Sequence, residues 1–313
     1  MNKNKPKNNK SIGIIVNTLR GDPAYILSKI KNILKKYSIE HIIIDYDISS
    51  YQNIVKAIKI LKDVSMLISI GGDGTLLSAL KIAIKYNIAV LPIYNGSLGF
   101  ISEIPPEEAY FILEEYLNNK KSLYEIEART LLEVQLTKNN SKNNNNTKNN
   151  LKNNAKENLK NNTKIKNYLA INELVLGKCD GRAIYIDVSI EDKMVSSIVG
   201  DGVVIATPTG STAYALSAGG PVLAPTIDAI SFVPIAPHSL TFRPLVIPKG
   251  DSIRLTLSKK SFKAMITIDG YDICKFDKND ILKAEISEKH CYIFQSAKRL
   301  FYDILRNKLK WGR

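Results

Sequence analysis

Apolar positions in the first third of the chain recur at two alternating periods. Ser11-Ile12-Gly13-Ile14-Ile15-Val16-Asn17 is a short apolar run, and Pro23 opens a segment, 23–37, in which Ile26, Leu27, Ile30, Ile33 and Leu34 recur at helical spacing. His41-Ile42-Ile43-Ile44-Asp45 is a second run, followed by a helical face of Ile54, Val55, Ile58 and Leu61 across 53–62. The run 65–70 leads through a glycine-rich turn into a helical pattern from Leu76 to Ile84, and 88–94 is followed by a helix over 107–117. Strands alternating with amphipathic helices predict a parallel sheet covered on both faces. After about Lys120 the period drops to two: 129–136, 183–190, 252–257 and 264–268 read as antiparallel strands of a sandwich. The pattern divides the chain into a tail, 1–10, an α/β domain, 11–122, and a β-rich domain, 123–297. A terminal helix, 298–313, is expected to pack back on the first domain.

Three stretches interrupt this patterning with polar chemistry. Gly71-Gly72-Asp73-Gly74-Thr75 puts a carboxylate among glycines at the carboxyl end of a strand, where open α/β sheets bind ligands and bare backbone admits a nucleotide. No Gly-Lys-Ser/Thr follows, so it is not a P-loop. Asp201-Gly202-Val203-Val204-Ile205-Ala206 runs into Thr207-Pro208-Thr209-Gly210-Ser211-Thr212-Ala213-Tyr214-Ala215-Leu216-Ser217-Ala218-Gly219-Gly220-Pro221, a buried strand entering a hydroxyl-rich loop and a helix of small residues. Its amides suit an anion and Tyr214 suits a base or ring; equally, the Ser and Thr side chains cap a helix. Asn172-Glu173, inside an apolar run, needs buried partners, which ligand hydroxyls, an adenine amine or a turn backbone would supply.

Composition removes other classes. The formal charge of +14 is concentrated: Lys3, Lys5, Lys7 and Lys10 carry +4, and 138–167 holds eight lysines against Glu157, which leaves +3 for the rest. The tract 138–167, almost wholly Asn and Lys, is expected to be a disordered insertion in a hairpin, and no specific nucleic-acid face is indicated. No apolar run approaches the roughly 20 residues of a membrane span. The N-terminus has no apolar signal segment, so a cytoplasmic protein is expected. Cys179, Cys274 and Cys291 lack the spacing of a disulfide framework or zinc site.

Taken together, Gly71-Gly72-Asp73-Gly74-Thr75, Asn172-Glu173 and the Asp201 to Pro221 block resemble the NAD kinases, in that order and at fitting separations. Leu98-Gly99-Phe100, Arg129-Thr130-Leu131-Leu132, Pro237-His238-Ser239-Leu240 and Arg243-Pro244-Leu245-Val246 agree, so the likeness covers nearly everything but the tail and the insertion. The first motif is shared with diacylglycerol, sphingosine and phosphofructokinase relatives; the Thr-Pro-Thr-Gly-Ser-Thr-Ala-Tyr block is far more specific. The resemblance implies an α/β domain with a parallel Rossmann-like sheet followed by an all-β sandwich-like domain, with the site in the cleft between them. It implies phosphorylation of the adenosine 2′-hydroxyl of NAD by ATP or another phosphoryl donor, with a divalent metal, Mg²⁺, to which no residue is assigned. Asp73 would accept the proton. Gly72, Gly74, Asn172, Glu173, Thr212, Ala213, Tyr214, Ala215, Leu216, Ser217 and Ala236 would hold NAD, and Asp201 would face its nicotinamide side. A homo-oligomer, commonly a tetramer, is implied as well. The sequence departs from the family pattern at Tyr94-Asn95-Gly96 in place of Asn-x-Gly, at Val199 in place of a basic residue, and at Tyr271 in place of Gln or His. Arg182 takes a ligand-contacting basic or His position. A lipid kinase of the diacylglycerol type and a non-catalytic NAD(H)-binding regulator are the alternative readings.

Overall fold

The computed structural model describes residues 11–18, 21–45, 64–96, 98–139 and 163–310. The expected tail 1–10, the helix 53–62 and the insertion's centre, 140–162, lie outside the described residues. The chain forms two units, one of residues 1–130 with 289–313 and one of residues 131–288.

In the first unit, β1 (Ser11–Val16), β2 (His41–Asp45), β3 (Val64–Ile70) and β4 (Ala89–Ile93) form a parallel sheet in the order β2-β1-β3-β4. Ile14, Ile15, Leu67, Ile68, Val90 and Leu91 are completely buried, as strands covered on both faces require. α1 (Pro23–Lys36) buries Ile26, Ile30 and Leu34 and is capped by Asp22, whose carboxylate accepts from Tyr25 N–H. α2 (Asp73–Tyr86) follows β3 and α3 (Pro106–Leu117) follows β4. α1 and α3 share one core with β1, β3 and β4, closed by Phe294, which packs edge-on against Tyr116.

β5 (Tyr124–Asn139) leads into the second unit. There β6 (Thr163–Ala170), β7 (Glu173–Lys178), β8 (Ile184–Ile190), β9 (Lys193–Gly200), β10 (Gly202–Ala206), β11 (Ala229–Ile235), β12 (Leu245–Pro248), β13 (Ile253–Leu257), β14 (Ala264–Ile268), β15 (Tyr271–Phe276) and the first half of β16 (Ile281–Ser296) form an antiparallel sandwich. One sheet has the order β12-β11-β10-β7-β14-β15; β16, β13, β8 and β9 build the other. Leu174, Leu176, Val203, Ile205 and Ile266 meet Ile186, Val188, Leu255 and Leu282 in its core. β10 is buried along its whole length: Val203 and Ile205 enter that core, while Val204 and Ala206 are covered from the other face by Ala215. The far end of β16 belongs to the first unit, where Tyr292 and Ile293 pair in parallel with Ala89 and Val90 of β4. Among the described residues no helix is long and apolar enough to cross a membrane.

Two boundaries differ from the sequence pattern. The units divide at 130/131 and 288/289 instead of 122/123 and 297/298, because β5 and β16 each run unbroken for 16 residues from one unit into the other. The expected insertion 138–167 also reaches too far at both ends: Lys138 pairs with Lys164 and Asn139 with Thr163 in the β5–β6 ladder. Backbone hydrogen bonds make that ladder whatever the side chains, and Lys138 Nζ is further held by Asp280 at 2.7 Å, so an Asn/Lys composition conceals the strand ends.

Candidate active site

In the first unit, Gly71 turns the chain out of β3 with φ +155°, and a Cβ there would stand 2.4 Å from Thr75 Oγ1. α2 begins directly at Asp73, with Gly72 as N-cap, earlier than the apolar pattern from Leu76 suggests. The acidic side chain thus meets the positive end of the helix dipole. The loop after β4 holds it from outside the helix: Oδ2 accepts from Phe100 N–H at 2.9 Å, and Oδ1 from Ile101 N–H at 3.3 Å and Ser102 N–H at 2.9 Å. Gly99 permits this approach, since a Cβ there would lie 2.0 Å from Oδ1. Ser102 Oγ ties the loop to the turn by donating to Gly71 O at 3.0 Å. Oδ1 therefore has both acceptor positions taken and Oδ2 keeps one. At Gly72 and Gly74 a Cβ would point into open space, with no described protein atom within 4 Å. Packing does not demand glycine at either position; they leave the flank of the carboxylate bare.

In the second unit, β7 and β10 are antiparallel neighbours, with Glu173 opposite Ala206 and Gly177 opposite Gly202. At the first end, Thr207 N–H donates to Asn172 O at 2.9 Å and Thr207 Oγ1 to Ile171 O at 2.6 Å. Gly210 lies so close to Asn172 that a Cβ would stand 2.1 Å from its carbonyl oxygen. A 3₁₀ turn, Thr209–Thr212, and a one-turn helix, Tyr214–Ser217, follow. Thr207 and Ser211 are buried, and their hydroxyls are spent inside the loop, Ser211 Oγ donating to Pro208 O at 2.6 Å and accepting from Leu223 N–H at 2.9 Å. Of the expected binding residues here, Tyr214 and Ser217 are exposed, Thr212, Ala213 and Leu216 half-buried, and Ala215 fully buried beneath β10. The Ala215 side chain therefore serves packing and has no face for a ligand.

Asn172 and Glu173 are buried at this same end. Asn172 Oδ1 has no hydrogen-bond partner among the described residues, a cost of about 1–3 kcal/mol that a ligand donor would relieve. Asp269, which the sequence reading passed over, shapes the segment: its Oδ1 accepts from Ile171 N–H at 3.0 Å, Asn172 N–H at 2.7 Å and Glu173 N–H at 3.2 Å. It stands with φ +46° in the turn between β14 and β15 and so brings Tyr271, the first residue of β15, to that turn. The only signal for it in the sequence is an Asp-Gly pair between two strands of period two.

Asp201 and Ala236 belong to the opposite end of the ladder. Lys178, another residue not foreseen, donates from N–H to Asp201 O at 2.9 Å and pairs through Nζ with Asp201 Oδ1 at 2.7 Å. Asp201 N–H in turn donates to Ile235 O, beside Ala236. Glu173 and Lys178 bound β7, so the two ends are separated by roughly 17 Å at ~3.4 Å per residue. Arg182 stacks its guanidinium 4.7 Å over the Phe262 ring. The binding residues expected in the second unit thus resolve into a cluster at Asn172, two residues at Asp201, and Arg182 stacked on an aromatic ring. At the departure Tyr94-Asn95-Gly96, Asn95 Oδ1 accepts from Asp22 N–H at 3.2 Å, at the entry to α1.

Next to the Asp73 loop, Glu103 is buried with its carboxyl pushed up to about 7, foremost by burial, against the pull of Ser296 N–H, Arg299 and Arg129. The Gln295 amide, with its N–H₂ turned to Glu103 Oε1, accepts from Arg129 Nη2 at 2.6 Å. Among the described residues no group of three or more His, Cys, Asp or Glu side chains is arranged to hold a metal ion.

The descriptions of two protein families match this chain: ATP-NAD kinase N-terminal domain over residues 28–121 and ATP-NAD kinase C-terminal domain over residues 171–296. The chain belongs to the NAD kinase family. An NAD kinase of Sulfurimonas denitrificans is 32% identical over 305 residues, covering 97% of this chain and 98% of its own length. One of Aquifex aeolicus is 33% identical over 296 residues, covering 92% and 99%. The fold is similar to that of yeast NADH kinase complexed with NADH, with a TM-score of 0.76 and 21% identity over 97% of this chain and 89% of that one. It is also similar to an NAD kinase from Archaeoglobus fulgidus in complex with ATP, with a TM-score of 0.66 and 21% identity over 96% and 98%. As a member of the NAD kinase family this chain is an enzyme that phosphorylates NAD to NADP. The N-terminal family match contains Asp73 and its amide-bearing loop, and the C-terminal match contains Asn172, Asp201, the Thr207 loop and Asp269.

Proposed function

We propose that Asp73 is the proton acceptor in transfer of the γ-phosphoryl group of ATP to the adenosine 2′-hydroxyl of NAD. In this step the 2′-oxygen forms a bond to the γ-phosphorus, the bond from that phosphorus to the β-phosphate oxygen breaks, the hydroxyl proton passes to Asp73 Oδ2, and ADP leaves. The observation that carries the reading is the Asp73 carboxylate itself: oriented by the N–H groups of Phe100, Ile101 and Ser102, with one acceptor position left and bare glycine on either side. Phosphoryl transfer has a loose transition state, so orientation of the hydroxyl and the base counts for more than base strength.

The dinucleotide is held, in the same reading, by the backbone at Gly72 and Gly74, by Asn172 and Glu173, and by the exposed side of Thr212 to Ser217, where Tyr214 offers a ring to stack. Asp201 faces the nicotinamide side, as the family resemblance implies, with Lys178 paired to it, and Ala236 and Tyr271 are further contacts to NAD. Mg²⁺ brought in with ATP would supply charge neutralisation at the phosphates, and no residue of this chain is assigned to hold it. A homo-oligomer, on the family resemblance, and a cytoplasmic location complete the reading.

Asp73→Asn tests the central role. The variant keeps the side chain's size but not its basicity, and it turns an amide N–H₂ toward Phe100 N–H, so NADP formation is expected to fall about 100-fold or more, with a cooperative melting transition showing that the fold is kept. Near wild-type kcat in that variant would remove Asp73 from the proton transfer. ADP release measured in parallel with NAD, NADH and diacylglycerol as acceptors, and with ATP or polyphosphate as donor, assigns substrate preference.

A further inference from the structure

The amides that orient Asp73 lie on an irregular stretch between β4 and α3, where, among the described residues, Tyr94 N–H donates to Ile104 O and Gly99 N–H to Ser102 O. Irregular backbone of this kind takes its geometry from whatever anchors it. Besides Ser102 Oγ on Gly71 O, the anchors are side chains from the end of the chain. Lys308, in the last turn of the helix Phe301–Leu309, donates from Nζ to Leu98 O at 2.5 Å, with the ammonium 5.5 Å from the centroid of the Phe100 ring. Arg299 donates from Nη1 to Glu103 O at 2.8 Å and pairs through Nη2 with Glu108 Oε2 at 2.9 Å, at the start of α3. The Phe100, Ile101 and Ser102 amides lie between these two anchors. The helix that carries Lys308 is itself seated by buried Ile304 and Leu305.

We propose that Lys308 and Arg299 are positioning residues for phosphoryl transfer, holding the two ends of 98–103 so that its amides fix the orientation of the Asp73 carboxylate. This rests on Asp73 being the proton acceptor. Lys308 is exposed, and an exposed charged contact contributes little to global stability. A displacement of about 1 Å in a reacting group can nonetheless cost up to about 100-fold in rate. Lys308 therefore belongs to the class of residue whose loss affects kcat far more than folding.

The test uses Lys308→Met, which keeps the aliphatic stem and helix propensity without the donor, and Lys308→Arg, which restores a donor of similar reach. Each is measured in the full chain for kcat, for KM with NAD and with ATP, and for melting temperature. Lys308→Met is expected to lower kcat about 5- to 20-fold with both KM values within about 2-fold and melting within about 2 °C, and Lys308→Arg to recover at least about half of the loss. In an Asp73→Asn background, Lys308→Met is expected to have no further effect beyond about 2-fold, because the group being oriented has been removed. A kcat within 2-fold of wild type for Lys308→Met, or an undiminished loss in the Asp73→Asn background, would overturn the proposal. If Asp73→Asn alone keeps wild-type kcat, the base assignment fails and takes the proposal with it. That outcome is distinct from an inactive Asp73→Asn beside a fully active Lys308→Met, which sinks the positioning role alone.

Discussion

The four glycines around the Asp73 carboxylate serve two different ends. Gly71 and Gly99 are required by the protein, the one by its backbone angle and Thr75, the other by the carboxylate pressed against it; Gly72 and Gly74 have room for a methyl group. Gly99→Ala is therefore expected to push the carboxylate off its amides and to lower kcat about 10-fold or more. Gly74→Ala lies in the first turn of α2, where alanine favours the helix by up to about 1 kcal/mol. Its melting temperature should hold or rise while KM for NAD increases, and calorimetric titration with NAD checks the second half. An unchanged KM would mean that substrate does not approach there. Glu103 is a second residue-scale case. Its carboxyl is raised to about 7 from 4.5, so the folded chain keeps a proton that the unfolded chain releases between those values. The stabilisation is fully present below about pH 4.5 and is lost as pH rises through 7. The difference in unfolding free energy between wild type and Glu103→Gln, followed by urea titration from pH 5 to 8, should change by on the order of 2–3 kcal/mol in favour of the variant. A flat difference would mean that Glu103 is ionised in the fold throughout.

At the level of elements, the strands and helices were legible because burial on one or both faces writes a period into the chain. The runs at β1, β2 and β3 and the stripe Ile26, Ile30, Leu34 needed no tertiary information. β10 was equally plain, since both of its faces are covered and the apolar run is continuous. What anchors the ends of elements was not legible. Asp269 holds the amides of Ile171, Asn172 and Glu173 from almost a hundred positions away, and no local period reports such a contact. Asp269→Asn, which removes the negative charge that faces those amides and turns an N–H₂ toward Ile171 N–H, is expected to cost about 2 kcal/mol of stability and to raise KM for NAD. Chemical unfolding and initial-rate kinetics on the same preparation check both. In the hydroxyl-rich loop, Thr207 and Ser211 knit the backbone together, Thr207 to Ile171 and Ser211 to Leu223.

For the whole molecule, the positive charge told more about where partners are not than where they are, since most of it sits in the tail and the Asn/Lys tract. The strand ends now give that tract exact limits. Asn139 and Thr163 are paired across the β5–β6 ladder, so replacing 140–162 with Asn-Gly closes a two-residue hairpin of favoured geometry. That deletion is expected to leave kcat within about 2-fold and melting unchanged or higher, because shorter loops cost less entropy to close. Removing 138–167 instead takes the Lys138–Asp280 pair and the ladder with it and should lower the melting temperature measurably. Equal melting for the two deletions would show that the strand ends contribute nothing. By itself the sequence determined the two kinds of sheet, the alternation of strands and helices in the first unit and the Asp73, Asn172 and Thr207 motifs, because periodicity and glycine placement are local consequences of burial and backbone geometry; β9, β11, β12, β15 and β16 came only with the structure. Tertiary structure alone decided which amides orient Asp73, that Ala215 faces the core, that Asp201 stands at the other end of β7 from Asn172, and that Lys308 reaches Leu98. Each of these depends on which distant segments meet, and a carboxylate or ammonium carries no mark in the sequence of the partner that folding brings to it.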